Sequence, residues 1–372
     1  MTQTQRLPAS LTPLDVALAA LLRGLAPVAP VELALADALG CIAAEMPPLR
    51  ANPPRDIAAS DGWALRAGDL VGASSYSPLP LAKSPVWVEA GDVMPEACDC
   101  VIDADTVDRT GPMFQVLAEA IPGQGVRRAG SDIAAGTIAV EAGRRVLPRD
   151  LLIARAAGMK MLRVRRPRVR VVNVPASGEA VTAHLIAESA AKAGAEVACI
   201  EAAARDANSI AQALDADGCD LILTTGGSGV GRTDATVAAL AQRGELMAHG
   251  IAMQPGRTSA VGRIGKTPVV VLPGAPDQAF AAWWTLALPA LDRLSGRRSR
   301  KILNLPLARK IASSVGIAEI VLLQRKQAAW TVVAVGDLSL DAIARAEAWL
   351  AVSGGSEGFA AGAPVDGYML RE

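Results

Sequence analysis

The sequence predicts a multidomain α/β protein built around a central three-layer α/β/α domain with a mostly parallel sheet. Three observations carry this. Between Arg166 and about residue 294, apolar β-branched runs alternate with helical patterns at the spacing of βαβ units. Two of those runs break into small-residue turns that open directly into helices: Leu221 to Thr225 into Gly226, Gly227, Gly229 and Gly231, and Thr267 to Leu272 into Pro273, Gly274, Ala275 and Pro276. Elsewhere, short β-like runs separated by Gly, Pro and Asp point to smaller β-rich domains.

Taken in order, residues 12–26 predict a helix, with Thr12 as N-cap, Pro13 at the first position and Leu18, Leu21, Leu22 and Leu25 on one face. A weaker helical pattern covers 31–45, and Pro47, Pro48, Pro53 and Pro54 then force an extended segment. Short strands are expected at Val86, Val101 and Phe114, and a helix over 148–161. The βαβ region predicts helices at 182–194, 207–215, 234–243 and 277–294, with strands at 196–201, 220–225 and 267–272 between them. The basic run from Ser295 to Lys301 reads as a solvated boundary, and the tail as β-like runs at 320–323 and 330–335 with a helix near 339–350. The domains expected are a helical linker (1–50 with 146–166), a β-rich domain (51–145), the α/β domain (167–296) and a small C-terminal mixed β domain (302–372).

Composition narrows the chemistry. A chain with 51% hydrophobic and 20% charged residues is globular, and 37 basic against 37 acidic residues leave no global pull toward nucleic acid or an anionic membrane. Aromatics at 3% also argue against a base-stacking platform. No run approaches the ~20 apolar residues of a membrane span, and the first residues lack an apolar signal core, so a cytoplasmic location is expected. Cys41, Cys98, Cys100, Cys199 and Cys219 read as small reduced residues. With His184 and His249 as the sole histidines, triads and zinc centres lack raw material. Catalysis must run on carboxylates, Lys or Arg, backbone N–H groups or a hard cation.

The turn after Thr225 reads as a phosphate cradle, because glycine lets backbone approach an anion and a helix start offers N–H donors. Its spelling approaches a P-loop, but Arg232 stands where the loop needs Lys, and a planar guanidinium is no substitute for a compact ammonium there. The dinucleotide fingerprint fails at the same Arg. Asp234, at the expected helix start, serves equally as a plain N-cap or as an Mg²⁺ ligand bridging to phosphate; the residues leave both open.

Several segments, in sequence order, resemble the molybdopterin molybdotransferase family of the MoeA and gephyrin E-domain type. Ser60-Asp-Gly-Trp-Ala64 resembles S-x-x-D-G-Y/W-A, and Ala90 to Ile102 resembles G-x-x-(M/L)-P-x-G-A-D-A-V-V. Arg127 to Gly136 resembles R-x-x-G-E-D-I-x-x-G, and Gly226 to Asp234 resembles G-G-V-S-x-G-x-x-D. Met253-Gln-Pro-Gly-Arg257 and Leu272-Pro-Gly-Ala-Pro276 resemble M-K-P-G-K-P and L-P-G-N-P.

The resemblance covers nearly the whole chain and implies a four-domain protomer, usually a homodimer. It implies adenylylated molybdopterin and molybdate as substrates, Mg²⁺ as cofactor, and molybdoenzymes or cofactor-biosynthesis proteins as partners, with no nucleic acid or membrane. By resemblance Asp61, Asp132, Glu179, Asp206 and Asp234 are catalytic, with Mg²⁺ at Asp234 and Asp61. Ser60, Arg127, Thr225, Gly226, Gly227, Ser228, Gly229 and Gly231 would bind substrate, as would Gln254, Arg257, Pro273, Gly274, Ala275 and Pro276. In this family the cleft lies between the α/β domain of one protomer and the β-rich domain of the other. The chain departs from the family at Ser177-Gly-Glu-Ala-Val181 (for T-G-D-E-L), Gln254, Arg257, Ala207 and Ala275. The alternative implied is a non-catalytic paralogue that binds molybdopterin or finished cofactor as carrier, scaffold or maturation partner.

Overall fold

A computed structural model describes residues 5–111, 113–176 and 178–370; Ser177 of the Ser177–Val181 motif and the first four residues lie outside them. The chain divides into two compact units, Met1–Ala44 with Ala142–Leu147 and Leu162–Glu372, and Glu45–Glu141 with Pro148–Met161.

In the first unit the alternating pattern folds as a six-stranded sheet. In chain order its elements are β1 (Arg168–Asn173), α1 (Val181–Lys192), β2 (Glu196–Glu201), α2 (Ala207–Ala213), β3 (Leu221–Thr225), α3 (Thr236–Arg243), β4 (Glu245–His249), β5 (Ala260–Ile264), β6 (Thr267–Leu272), α4 (Pro276–Ala282) and α5 (Leu288–Ser295). The strand order is β2-β1-β3-β6-β5-β4. β2, β1, β3 and β6 run parallel, and β5 and β4 close the edge antiparallel. Leu221, Ile222, Leu223, Val269, Val270, Val271 and Leu272 are all fully buried, as a strand covered on both faces demands. Each such side chain contributes about 1.5–3 kcal/mol. Helix α1 buries Ala183, Ile186 and Ala190 along one stripe against that sheet.

The 245–264 hairpin was outside the expected pattern. Its outer strand β4 is only partly buried, so its alternation is weak as sequence. The helix expected over 277–294 is a continuous 276–295 run interrupted by a π-helical turn at Trp283–Ala287 and ended by Gly296 in the left-handed region (φ 67°).

Two other helical expectations change. The pattern over 31–45 forms strands Val31–Ala34 and Ile42–Ala43, which flank Met161–Arg165 in a three-stranded sheet. Non-local pairing overrides a weak helical preference there. The first helix spans Leu14–Leu22, because Thr12–Pro13 pairs with Ile251–Ala252 instead of capping. The C-terminal residues share a seven-stranded sheet with Thr12–Pro13 and Ile251–Gln254. Their helix ends at Arg345, after which Ala348–Val352 pairs with Glu319–Leu323.

In the second unit Gly62–Leu65 is the central strand between Val86–Val88 and Cys100–Ile102. Glycine is required at 62, where a Cβ would collide with the Ile102 carbonyl. Trp63 anchors the core, edge-on to Trp87 and Phe114. Helix Pro148–Ala156 completes this unit. All five cysteines are free, and burial pushes the Cys100 thiol up to about 11, a protonated, inert group at neutral pH. No helix among the described residues is long and apolar enough to cross a membrane.

Candidate functional site

The two small-residue turns meet at the carboxyl edge of the sheet because β3 and β6 are neighbours in register, Thr225 opposite Leu272. Gly226 N–H donates to the Leu272 carbonyl (3.0 Å), and a Cβ on Gly274 would sit 3.4 Å from Gly226 Cα. Between them opens a cavity of about 420 Å³ lined by Asn173, Thr182, Arg205, residues 225–229, Asp234, Thr258, residues 273–275 and Gln278. This is where ligands bind in an open α/β sheet.

Gly226 and Gly227 both adopt left-handed φ (93° and 67°). The N–H groups of Gly227, Ser228 and Gly229 follow one another with no hydrogen-bond acceptor among the described residues. Successive free N–H groups in such a conformation make an anion-binding concavity. Behind it, Thr236 Oγ1 donates to the Gly226 carbonyl (2.9 Å) and Thr236 N–H to that of Gly227 (3.0 Å). Thr182 Oγ1 donates to the Gly274 carbonyl (2.6 Å), which ties the second turn to α1.

The helix start is not the donor that the sequence pattern implied. Gln5, from the N-terminal segment, inserts its side-chain amide there. Its Oε1 accepts from Val237 N–H (2.8 Å) and Ala238 N–H (3.3 Å), while its Nε2 donates to the carbonyls of Gly227 (3.0 Å) and Gly229 (2.8 Å). The orphan donors of α3 are satisfied by a residue 232 positions away. An anion at this turn therefore meets the Gly227–Gly229 amides rather than the helix terminus.

Asp234 is neither plain N-cap nor free carboxylate. Helix α3 starts at Thr236 with Ala235 as cap residue. Asp234 Oδ2 accepts from Gly231 N–H (2.9 Å), closing the loop, and Oδ1 pairs with Arg205 Nη2 (3.0 Å). Arg205 is fixed further by donation to the Pro175 carbonyl (2.8 Å) and Thr233 Oγ1 (3.2 Å). It is the sole cationic side chain among the described lining residues, and sequence reasoning passed over it. Its position just before the α2 N-cap Asp206 was the available signal.

His249 backs the turn from β4, with Nε2 3.2 Å from the Ser228 carbonyl, so the proton on that nitrogen donates. Burial pulls its pKa below the ordinary value, against a smaller opposing effect from that bond. Ser228 Oγ lies 3.2 Å from Thr258 Oγ1.

Other predicted residues do not line the cavity. Asp206 caps α2, accepting from Asn208 and Ser209 N–H (3.0 Å each) and Ser209 Oγ (2.7 Å), and those bonds, led by the hydroxyl's, hold its pKa below the usual range. Gln254 ends a strand of the seven-stranded sheet opposite Glu319, beside Gly336. Glu179 and Arg257 are exposed, and neither they, Gly231 nor Pro276 lines the cavity. In the second unit Asp61 accepts from Ala90 N–H (2.8 Å) next to exposed Ser60, and Asp132 forms an exposed ion pair with Arg127. The strand pair Ile57–Ala58 with Val126–Arg127 brings those two segments together.

The residues at the glycine turn do not fit a resident Mg²⁺. Asp234 is their single carboxylate, and a cation there would have to displace the Arg205 guanidinium. No group of three or more His, Cys, Asp or Glu positioned for a metal occurs among the described residues.

Fold and site define an α/β protein with a cavity lined by open backbone N–H groups at the carboxyl edge of its sheet. The MoeA N-terminal region (domain I and II) matches residues 12–158, and a probable molybdopterin binding domain matches residues 170–293. Molybdopterin molybdenumtransferase 2 of Mycobacterium tuberculosis is 30% identical over 286 residues, 66% of this chain and 70% of that protein. The molybdopterin molybdenumtransferase of Haemophilus influenzae is 28% identical over 287 residues, 67% of this chain and 69% of that protein. A molybdopterin biosynthesis MoeA protein from Pyrococcus horikosii shares the fold, with a TM-score of 0.75 over 98% of this chain and 100% of that one at 24% identity. The chain belongs to the MoeA-type molybdopterin molybdenumtransferase family.

Proposed function

We propose that this protein acts in molybdenum cofactor biosynthesis, binding adenylylated molybdopterin and promoting molybdate insertion with release of AMP. The observation that carries the reading is the run of free N–H groups at Gly227, Ser228 and Gly229, opening into a cavity with Arg205 on its wall. The amides and the guanidinium hold the phosphate. Cleavage of a phosphoanhydride needs charge neutralisation and positioning more than a strong base, which suits a cavity with no histidine on its wall. Asp61 and Asp132 contribute to the same reaction in this reading, and alanine substitution tests each. Thr225, Pro273, Gly274 and Ala275 shape the pterin side of the cavity. Glu179, Asp206, Gln254 and Arg257 stand outside the binding step, as their positions argue.

A second reading, binding without catalysis, is favoured by one observation. The cavity's charged side chains, Arg205 and Asp234, are paired with each other. Incubation with adenylylated molybdopterin and molybdate, with and without Mg²⁺, separates the two. AMP release above background supports the transferase; tight binding without AMP supports a carrier; absence of binding overturns both. The Mg²⁺ arm tests whether a metal shares the neutralisation assigned here to Arg205. A homodimer in the cytoplasm completes the reading, and light scattering and cell fractionation test those two parts.

A further inference from the structure

We propose a second ligand site at the opposite end of α1, for a small aromatic phosphate such as a mononucleotide or pterin monophosphate. Thr182 in the first turn of α1 lines the glycine cradle, whereas Ser189 and Lys192 in its last turns line a separate cavity of about 280 Å³. Ser189 and Lys192 follow Thr182 by seven and ten helical residues, about 10 to 15 Å along the axis.

Aromatic residues are scarce in this chain, yet three of its six tryptophans (Trp283, Trp284 and Trp349) and Phe280 line this cavity. Phe280, Trp284 and Trp349 form a continuous stack that Tyr368 extends. Phe280 lies on Trp284 (5.1 Å, 23°), Trp284 on Trp349 (5.9 Å, 15°), and Trp349 on Tyr368 (5.0 Å, 24°). Trp283 and Trp284 enter the wall through the π-helical turn Trp283–Ala287, a rare distortion that shifts side-chain direction and recurs at functional sites.

The remaining wall is basic. Arg145, Lys192, Arg297 and Arg300 line it, and none of the described lining residues carries a carboxylate. Arg145 donates to the Lys192 carbonyl (3.0 Å) at the end of α1, Arg300 grips Asp292 through two bonds of 2.7 Å, and Arg297 is also engaged within the fold. The Lys192 ammonium has no ion-pair partner among the described residues and stands at the exposed mouth. An aromatic wall beside an ammonium without an ion-pair partner matches a ring that carries a phosphate: the ring packs against the indoles lining the cavity and the phosphate meets Lys192. The volume of about 280 Å³ falls just below the ~300–1,000 Å³ usual for small-molecule sites, which limits the ligand to about one mononucleotide in size.

The site does not depend on the role given to the glycine cradle, and its test is built to keep them apart. Full-length Arg205→Ala protein, weakened at the cradle, is titrated with AMP, 6-hydroxymethylpterin phosphate, adenosine and inorganic phosphate, following tryptophan fluorescence and heat. One of the two ring phosphates should bind with one equivalent, more tightly than adenosine or phosphate alone, and the better binder identifies the ring. Adding Lys192→Glu should weaken that binding about tenfold or more at unchanged Tm, the effect of losing a charge-assisted contact. Adding Trp349→Leu, which keeps an apolar wall, should weaken the ring phosphate and leave inorganic phosphate unchanged. The proposal fails if neither ring phosphate binds at about 1 mM. It fails equally if Lys192→Glu leaves the affinity intact, or if the binding seen in the wild type vanishes in Arg205→Ala alone.

Discussion

Arg205 Nη2 lies 3.0 Å from Asp234 Oδ1, a pair that joins the residue before α2 to the residue closing the glycine loop. Both side chains are partly shielded, with exposures of 32% and 17%, so the bond is less screened than a surface pair. Arg205→Ala should leave Asp234 negative and unpaired beside the bound phosphate, and affinity for adenylylated molybdopterin should drop about tenfold or more. Asp234→Asn removes the repulsion and frees the guanidinium for the ligand, so binding should hold or tighten. Calorimetric titration of both variants checks this; wild-type affinity in Arg205→Ala would overturn the role assigned to it.

Gln5 bonds the start of α3 and the carbonyls of the glycine turn at once. Gln5→Ala should cost about 0.5–2 kcal/mol, the range for losing an N-cap, read from urea unfolding. Gln5→Glu retains the acceptor for Val237 and Ala238 but sets a carboxylate against the Gly227 and Gly229 carbonyls. Its effect on ligand affinity should exceed its effect on stability.

At Gly227 the backbone is left-handed and a Cβ would collide with Thr236 Oγ1. Gly227→Ala should destabilise the protein by about 1–3 kcal/mol and abolish binding at the cradle. Tm together with ligand titration reads both effects. Normal binding in this variant would mean that the anion sits elsewhere.

His249 has a pKa held below its ordinary 6.5 by burial. A depressed folded-state pKa means that the neutral form is favoured in the native protein and that the unfolded chain takes up the proton more readily. The stabilisation is therefore present above about pH 6.5 and is lost as pH falls through the lower folded value. Tm should decline as pH falls below 6.5, and His249→Gln, which keeps a donor for the Ser228 carbonyl, should flatten that decline. An unchanged profile in the variant would rule out His249 as its source.

The sheet of the first unit was legible because its signals are local: Leu221–Thr225 and Thr267–Leu272 are unbroken apolar runs that end in glycine and proline, and each reads as a buried strand entering a turn. The strands at 31–34 and 42–43 were hidden because what stabilises them is pairing with Met161–Arg165, more than a hundred residues away in the chain. Gln254 and Arg257 belong to a segment whose motif resembles the family's, yet Ile251–Gln254 leaves the α/β sheet to join the C-terminal strands. No property of those four residues announces that exchange.

Residue order alone determined the α/β class, the two turns, the near absence of histidine chemistry and the family resemblance, all of which are written in composition and short-range spacing. Tertiary structure alone decided which polar groups face the cavity. Gln5 satisfies the helix start, Arg205 satisfies Asp234, Asp206 satisfies its own helix, and the amides of Gly227, Ser228 and Gly229 remain open. The reason is that a buried hydrogen-bonding group must find a partner, and chain folding, not sequence distance, determines which partner is within 3 Å.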